Sequence, residues 1–352
     1  MSSDILFQEV PEIMRICFFA NMSAHANWRE MFERVEFYSV DIKLLRELGH
    51  EVIEAGLPSM VDWKADLYYG WWWGHAPFIM LPAKLRRKPI ILTGAFDYST
   101  CKQELPGLCY LDRPLWQRTV IQTMLRLADV NMFISQSEYD EVTPHLKVRN
   151  PLAVPLAIDT EYYRPTPNQK TADYFFSVSL QSRTNAIRKG LSQTIEAFAI
   201  VASEFPAMRL VLAGKPGDFT GELKALAQRM GVADRVEFRG MITQEEKLQS
   251  YRECTAYVQP TLYEGFGHAL AEAVACGAPV VSAARGSVPE VTGKHAACVD
   301  PHDVAAIADA MRQSIVKPVT DKDRADGHKW ITDNFSLAAR RERLRQVLET
   351  VS

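Results

Sequence analysis

The chain has 352 residues, 47% of them hydrophobic and 24% charged, with a formal net charge of −3. That length allows two domains with separate cores, the composition is that of a soluble globular protein, and the mildly acidic total excludes a global nucleic-acid signature. The six cysteines, Cys17, Cys101, Cys109, Cys254, Cys276 and Cys298, are scattered without a Cys-x-x-Cys, which argues against structural zinc and fits a reducing cytoplasmic compartment.

Residues 1–14 carry Asp4, Glu9 and Glu12 instead of a basic start and an apolar stretch, so no secretory signal is expected. No window approaches the ~20 apolar residues of a membrane-spanning helix. Residues 15–20 read as a first buried strand, and an amphipathic helix over about 29–48 ends at Gly49. Short apolar runs at 50–53, 65–69, 88–92 and 130–134 read as further strands, with a helix over 115–128 before the last. This alternation predicts a parallel, doubly wound sheet. Pro151, Pro155, Pro165 and Pro167 mark 150–168 as a linker, after which the same rhythm resumes at 174–179 and continues near Leu210, Val236, Ala256 and Val280. The predicted fold class is therefore α/β, with two Rossmann-like domains facing across a cleft that holds the site. The boundaries fall at 1–165, 166–330 and 331–352, the last a basic amphipathic helix.

The most informative segment is 260–293. Pro260 ends a strand over 255–259, Gly265 and Gly267 bracket Phe266 in a tight loop, and a helix runs from His268 to Cys276 before Gly277 and Pro279. Glu264 thus stands in a strand-to-helix loop, with Glu272 about two turns down the helix. Backbone N–H groups and the helix dipole converge at such a loop, which suits phosphate, and a carboxylate beside it can accept hydrogen bonds from sugar hydroxyls.

Glu264 and Glu272, separated by seven residues and followed by Cys276-Gly-Ala-Pro and Gly286-Ser-Val-Pro-Glu290, resemble the pattern of the retaining glycosyltransferases of family 4, which have the GT-B fold. The likeness extends upstream through residues 236–240, Tyr251, 210–214 and 188–190, and covers nearly all of 174–310. It implies that Glu264 binds a hydroxyl of the donor sugar, Glu272 the ribose hydroxyls, and the N–H groups of Gly265, Phe266 and Gly267 the diphosphate. It also implies an arginine and the lysine of Lys-Gly at the departing phosphate. Lys189 is that lysine, and Arg183 is favoured over Arg188 for the arginine. Met241 and Ile242 fall in the segment whose backbone contacts the base. Glu290 falls near the donor, or is simply an acid at its own helix N-terminus.

The N-terminal half departs from that pattern. The family's histidine-aspartate pair after the fourth strand reads here as Phe96 and Asp97, and His25 or His75 is a candidate replacement. Trp71, Trp72 and Trp73 in succession read either as packed core or as an acceptor platform built on Trp72 and Trp73. Lys84, Arg86, Arg87 and Lys88, with Arg118 and Arg126, form a basic patch that reads as a solvated helix face or as a contact with anionic lipid.

The resemblance implies transfer of a sugar from a nucleoside diphosphate sugar, UDP or GDP, to a hydroxyl acceptor on a glycan, lipid-linked sugar or small molecule, with retained configuration. No cofactor is required; Mg²⁺ is not essential, and no protein metal site is expected. The expected location is the cytoplasm or the inner membrane face, and a homodimer is allowed. Cell-envelope or exopolysaccharide synthesis is a setting in which such enzymes are common. The alternatives are a retaining glycoside phosphorylase and a catalytically weak binding partner. No Gly-x-Gly-x-x-Gly follows any strand, which disfavours a dinucleotide dehydrogenase.

Overall fold

The computed structural model describes residues 13–99, 102 and 105–351. Residues 1–12, read for targeting, and Cys101 lie outside them. Apolar runs without polar alternation suit strands covered on both faces, and here they form two parallel sheets. The first contains β1 (Arg15–Phe19), β2 (Glu51–Ala55), β3 (Leu67–Trp71), β4 (Ile90–Gly94), β5 (Val130–Phe133) and β6 (Pro151–Ala153), in the order β2-β1-β3-β4-β5-β6. The second contains β7 (Tyr174–Val178), β8 (Arg209–Ala213), β9 (Val236–Gly240), β10 (Ala256–Gln259), β11 (Val280–Ser282) and β12 (Ala296–Cys298), in the order β12-β11-β10-β7-β8-β9.

The order of connection reverses between β1 and β3 in the first sheet and between β7 and β10 in the second. Loops leaving the carboxyl ends of strands diverge at such points and leave a crevice. The Trp72 turn follows β3, while the Arg183–Arg188 helix and the Glu264 loop follow β7 and β10.

Three local expectations change. The single helix over 29–48 is two, Trp28–Arg34 and Glu36–Glu47, broken at Val35 with φ −87° and ψ 108°. The break lets Phe32 and Tyr38 both pack edge-on against Phe18, at ring-centroid distances of 5.9 and 6.4 Å. The third strand runs two residues further than expected, through Trp71. The proline-rich linker begins as β6, which pairs with β5 at the sheet edge, where a proline without an N–H is tolerated.

The last helix, Leu337–Glu349, returns to the first sheet's side and packs on Glu36–Glu47. Its Arg340, fully buried, grips the equally buried Asp41 through two contacts of 2.6 and 2.9 Å, and donates to the Val154 and Pro155 carbonyls at 2.9 and 2.7 Å. Tyr69 donates a further hydrogen bond to Asp41 at 2.7 Å. Removing one partner would strand a buried charge, at a cost of about 3–5 kcal/mol, so this pair fixes where the C-terminal helix docks.

Candidate active site at the switch point of the second sheet

The cation-bearing turn after β7 is stitched to the loop after β10. Ser182 caps the Arg183–Arg188 helix, which ends into Lys189 and Gly190. The Arg188 carbonyl accepts from the Leu262 N–H at 2.7 Å and from the Thr261 hydroxyl at 2.9 Å. Gly190 has φ +68°, and a β-carbon there would collide with the Pro260 carbonyl oxygen. Glycine therefore allows the two loops to touch and holds Lys189 at their junction. Gly267, at φ +85°, turns the chain into the helix His268–Ala275.

Glu264 is 7% exposed. The Gln259 amide donates to its Oε1 at 2.8 Å, and the Arg188 guanidinium approaches its Oε2 at 3.1 Å. Burial alone would raise this carboxyl's pKa; the charges of Arg188 and Lys189 outweigh that and hold it below the usual range. Burial pulls the Lys189 ammonium down, the Glu264 carboxylate opposing it. Glu272 is 2% exposed and accepts from Lys247 and from the Tyr251 hydroxyl, each at 2.8 Å. Two buried carboxylates on one loop-helix unit thus each have a cation partner, and Lys189 lies beside the first.

Arg183, the favoured arginine, is not in this cluster. Its side chain is exposed, paired with Glu222 and lying 4.8 Å over the Phe219 ring. Arg188 takes the place beside Glu264, because the last turn of the helix, not the first, abuts the loop after β10; it also donates to the Tyr263 carbonyl at 2.8 Å. Glu290 stands in the first turn of its own helix, Val288–Thr292, yet its carboxylate serves another. Its two oxygens accept from the Gln136 and Ser137 N–H groups at 3.0 and 3.1 Å, capping the N-terminal domain's helix Gln136–Val142. Phe266 is buried between His268 and Phe335, at ring distances of 5.0 and 5.6 Å. Met241 is 75% exposed and Ile242 half-buried, beyond the end of β9.

Sequence reasoning missed Glu138. It follows the cap residue Ser135 by three positions, the spacing of a capping box, but its side chain turns across to the Phe96 N–H at 3.0 Å. The Tyr263 hydroxyl, from the other domain, lies 3.3 Å away, and a β-carbon on Gly265 would come within 2.6 Å. Its Oε2 is buried without a partner, and burial drives this carboxyl well above the ordinary range. His268 was read only as a helix start. Its Nε2 is also buried without a partner, and burial pushes its pKa down to about 4, leaving a neutral ring beside both glutamates.

The N-terminal domain contributes a cavity of about 200 Å³ whose walls include Trp72, Trp73, His75, Phe96, Asp97 and Arg113. The indole N–H groups are already used: Trp72 donates to the Tyr38 hydroxyl at 2.7 Å and Trp73 to Asn131 at 2.8 Å. Trp71 and Trp73 are buried and Trp72 half-buried, so the triplet is both core and cavity wall. Burial lowers the pKa of His75, and the charge of Arg113 lowers it further. His25 lies on an exposed loop and is not among the cavity-lining residues.

Residues 168–327, which contain the whole Glu264 cluster, match the family model described as glycosyl transferases group 1. This half of the chain is similar to that family. The chain is 27% identical over 230 residues to the phosphatidylinositol N-acetylglucosaminyltransferase gpi3 subunit of Schizosaccharomyces pombe, covering 64% of this chain but 50% of that protein. It is also 27% identical over 269 residues to the O-antigen chain mannosyltransferase B of Escherichia coli, covering 73% and 67% respectively. Among solved structures, Anabaena HepE in complex with UDP superposes with a TM-score of 0.74 at 16% identity, over 96% of this chain and 99% of that one. With two parallel six-stranded sheets, this likeness gives the GT-B fold. The match covers the second sheet and leaves the first outside it.

Proposed function

We propose that the protein is a retaining glycosyltransferase of family 4 that moves a sugar from a nucleoside diphosphate sugar to a hydroxyl acceptor. The observation that carries this reading is the pair of buried, cation-paired glutamates, Glu264 in the loop before the His268–Ala275 helix with Lys189 beside it, and Glu272 within that helix. The N–H groups of the Gly265, Phe266 and Gly267 turn and the helix dipole receive the diphosphate. Lys189 and the guanidinium beside it offset the negative charge that develops as the nucleoside diphosphate leaves. Glu264 is tied to Arg188 and Gln259, so it orients a sugar hydroxyl and is not a free nucleophile. Acceptor attack then occurs on the face the leaving group vacates, the departing phosphate oxygen takes the acceptor proton, and configuration is kept.

Glu272 holds the ribose hydroxyls, and the segment at Met241 and Ile242 meets the base. UDP and GDP are the donors to try first. HepE was solved with UDP, and the relatives named above are mannosyl- and N-acetylglucosaminyltransferases. Mg²⁺ is not required, since fixed cations serve the phosphates. The acceptor enters from the Trp72, Trp73 and His75 side, in the cytoplasm or at its membrane face.

Thermal shift with UDP, GDP and their glucose, mannose and N-acetylglucosamine conjugates tests the donor site. One base should raise the melting temperature, and Glu272→Gln should lose most of that rise when each protein is referred to its own unliganded melting temperature. Release of free nucleoside diphosphate on acceptor addition distinguishes a transferase from a phosphorylase. No shift with any nucleotide at millimolar concentration would overturn the reading.

A further inference from the structure

Six of the large apolar side chains that face solvent belong to two neighbouring helices of the N-terminal domain. Pro77–Arg86 exposes Phe78, Leu81 and Leu85 at 47, 59 and 67%, spaced three and four residues apart on one face. Leu115–Leu127 exposes Leu115, Trp116 and Leu127 at 76, 67 and 41%. The helices pack side by side. Residues 77–88 and 113–127 together carry seven Lys and Arg and no Asp or Glu, in a chain whose net charge is −3. Asp129 pairs with Lys84 at 3.4 Å and Arg149 at 3.2 Å, Asp66 pairs with Lys88 at 2.9 Å, and Asp112 precedes Arg113, so the excess cations are Arg86, Arg87, Arg118 and Arg126.

Apolar side chains of this size held in water by a rigid helix pair need a cover, and a rim with an excess of cations selects a negative one. We infer that this two-helix face docks on an anionic lipid bilayer, the apolar side chains entering the headgroup boundary and the cations meeting lipid phosphates. A second copy of the chain fits less well, since two like faces would oppose their own positive charge. His75 and Arg113, which line the Trp72 cavity, immediately precede the two helices, so docking sets the cavity mouth beside the membrane plane. If the proposed glycosyl transfer holds, the acceptor is then one carried on a lipid. The docking itself does not rest on that reading.

The test is co-sedimentation of the full chain with vesicles of phosphatidylcholine alone or with about a quarter phosphatidylglycerol, a readout that needs no catalysis. Wild type should pellet with the anionic vesicles and stay in solution with the neutral ones, and about 0.5 M salt should weaken binding. Leu85→Ser with Trp116→Ser should abolish pelleting, and Arg87→Glu with Arg126→Glu should reduce it by about fivefold or more per cation, all four being exposed sites where melting should not change. No binding to anionic vesicles, or binding that neither pair alters, overturns the inference. A dimer in solution that Leu85→Ser with Trp116→Ser dissociates, without vesicle binding, also overturns it and assigns the face to a second copy.

Discussion

The Glu264 loop and the Trp72 turn solve the same backbone problem with opposite means. Each leaves a central strand at a switch point and turns through a residue of positive φ: Gly267 at +85° and Trp72 at +73°. Glycine adopts that conformation without cost, whereas for an indole-bearing residue it costs about 1–2 kcal/mol. At the first turn a small backbone leaves the loop open, and buried ion pairs on either side fix the charges. At the second the ring itself is wanted, as cavity wall and as the donor to Tyr38, and the strain is repaid by packing against Trp71 and Phe37. The Glu264 side is thus a fixed electrostatic frame, and the Trp72 side a shaped aromatic surface.

The largest effect expected on this contrast is at Lys189. Lys189→Ala should lower kcat/KM for the true donor by about 3–4 kcal/mol, two to three orders of magnitude, with little change in folding stability. Near-normal turnover would break the electrostatic half of the comparison. At the aromatic turn, Trp72→Gly and Trp72→Ala both lose the ring, but glycine relieves the backbone. Denaturant unfolding should therefore find Trp72→Gly the more stable of the two by about 1 kcal/mol; equal stabilities would mean that the turn carries no strain.

Glu138 joins the two regions, and its protonation should be legible in the pH dependence of stability. Its folded pKa is raised by burial, so the folded state retains the proton that the unfolded chain gives up. The stability tied to that proton is full below the unfolded value of about 4.3 and is lost as pH rises toward the folded one. Glu138→Gln keeps an acceptor for Phe96 and Tyr263, so its melting temperature should fall less than that of wild type between pH 5 and 8. Parallel curves would remove Glu138 as the titrating group.

The smallest effect is expected at Arg183. Its ion pair with Glu222 is exposed, and Arg183→Ala should cost under about 1 kcal/mol of stability. Donor titration of the same variant sharpens the assignment. Unchanged affinity leaves Arg188 and Lys189 as the phosphate-side cations, and a marked loss means that Arg183 swings off Glu222 when donor binds.

What the sequence by itself determined is what local chain chemistry encodes. Apolar runs of strand length alternating with helices, and glycine beside glutamate at a strand-to-helix turn, were enough for two parallel sheets and for Glu264, Glu272 and Lys189 near one loop. A break at Val35 was not visible, because it answers to where Phe18 sits in another element. Only the tertiary structure decided which arginine reaches Glu264, since Arg183 and Arg188 differ by little more than one helical turn, and that turn faces them to different neighbours. The same holds for Glu290 and Glu138. Each stands in a first helical turn, a placement the spacing conveys, but their partners lie in the opposite domain or beyond β4, and no local rule carries a contact over that many residues. Strand and turn preferences act over a few residues; the choice of a charge's partner is made when the domains close and bring distant elements together.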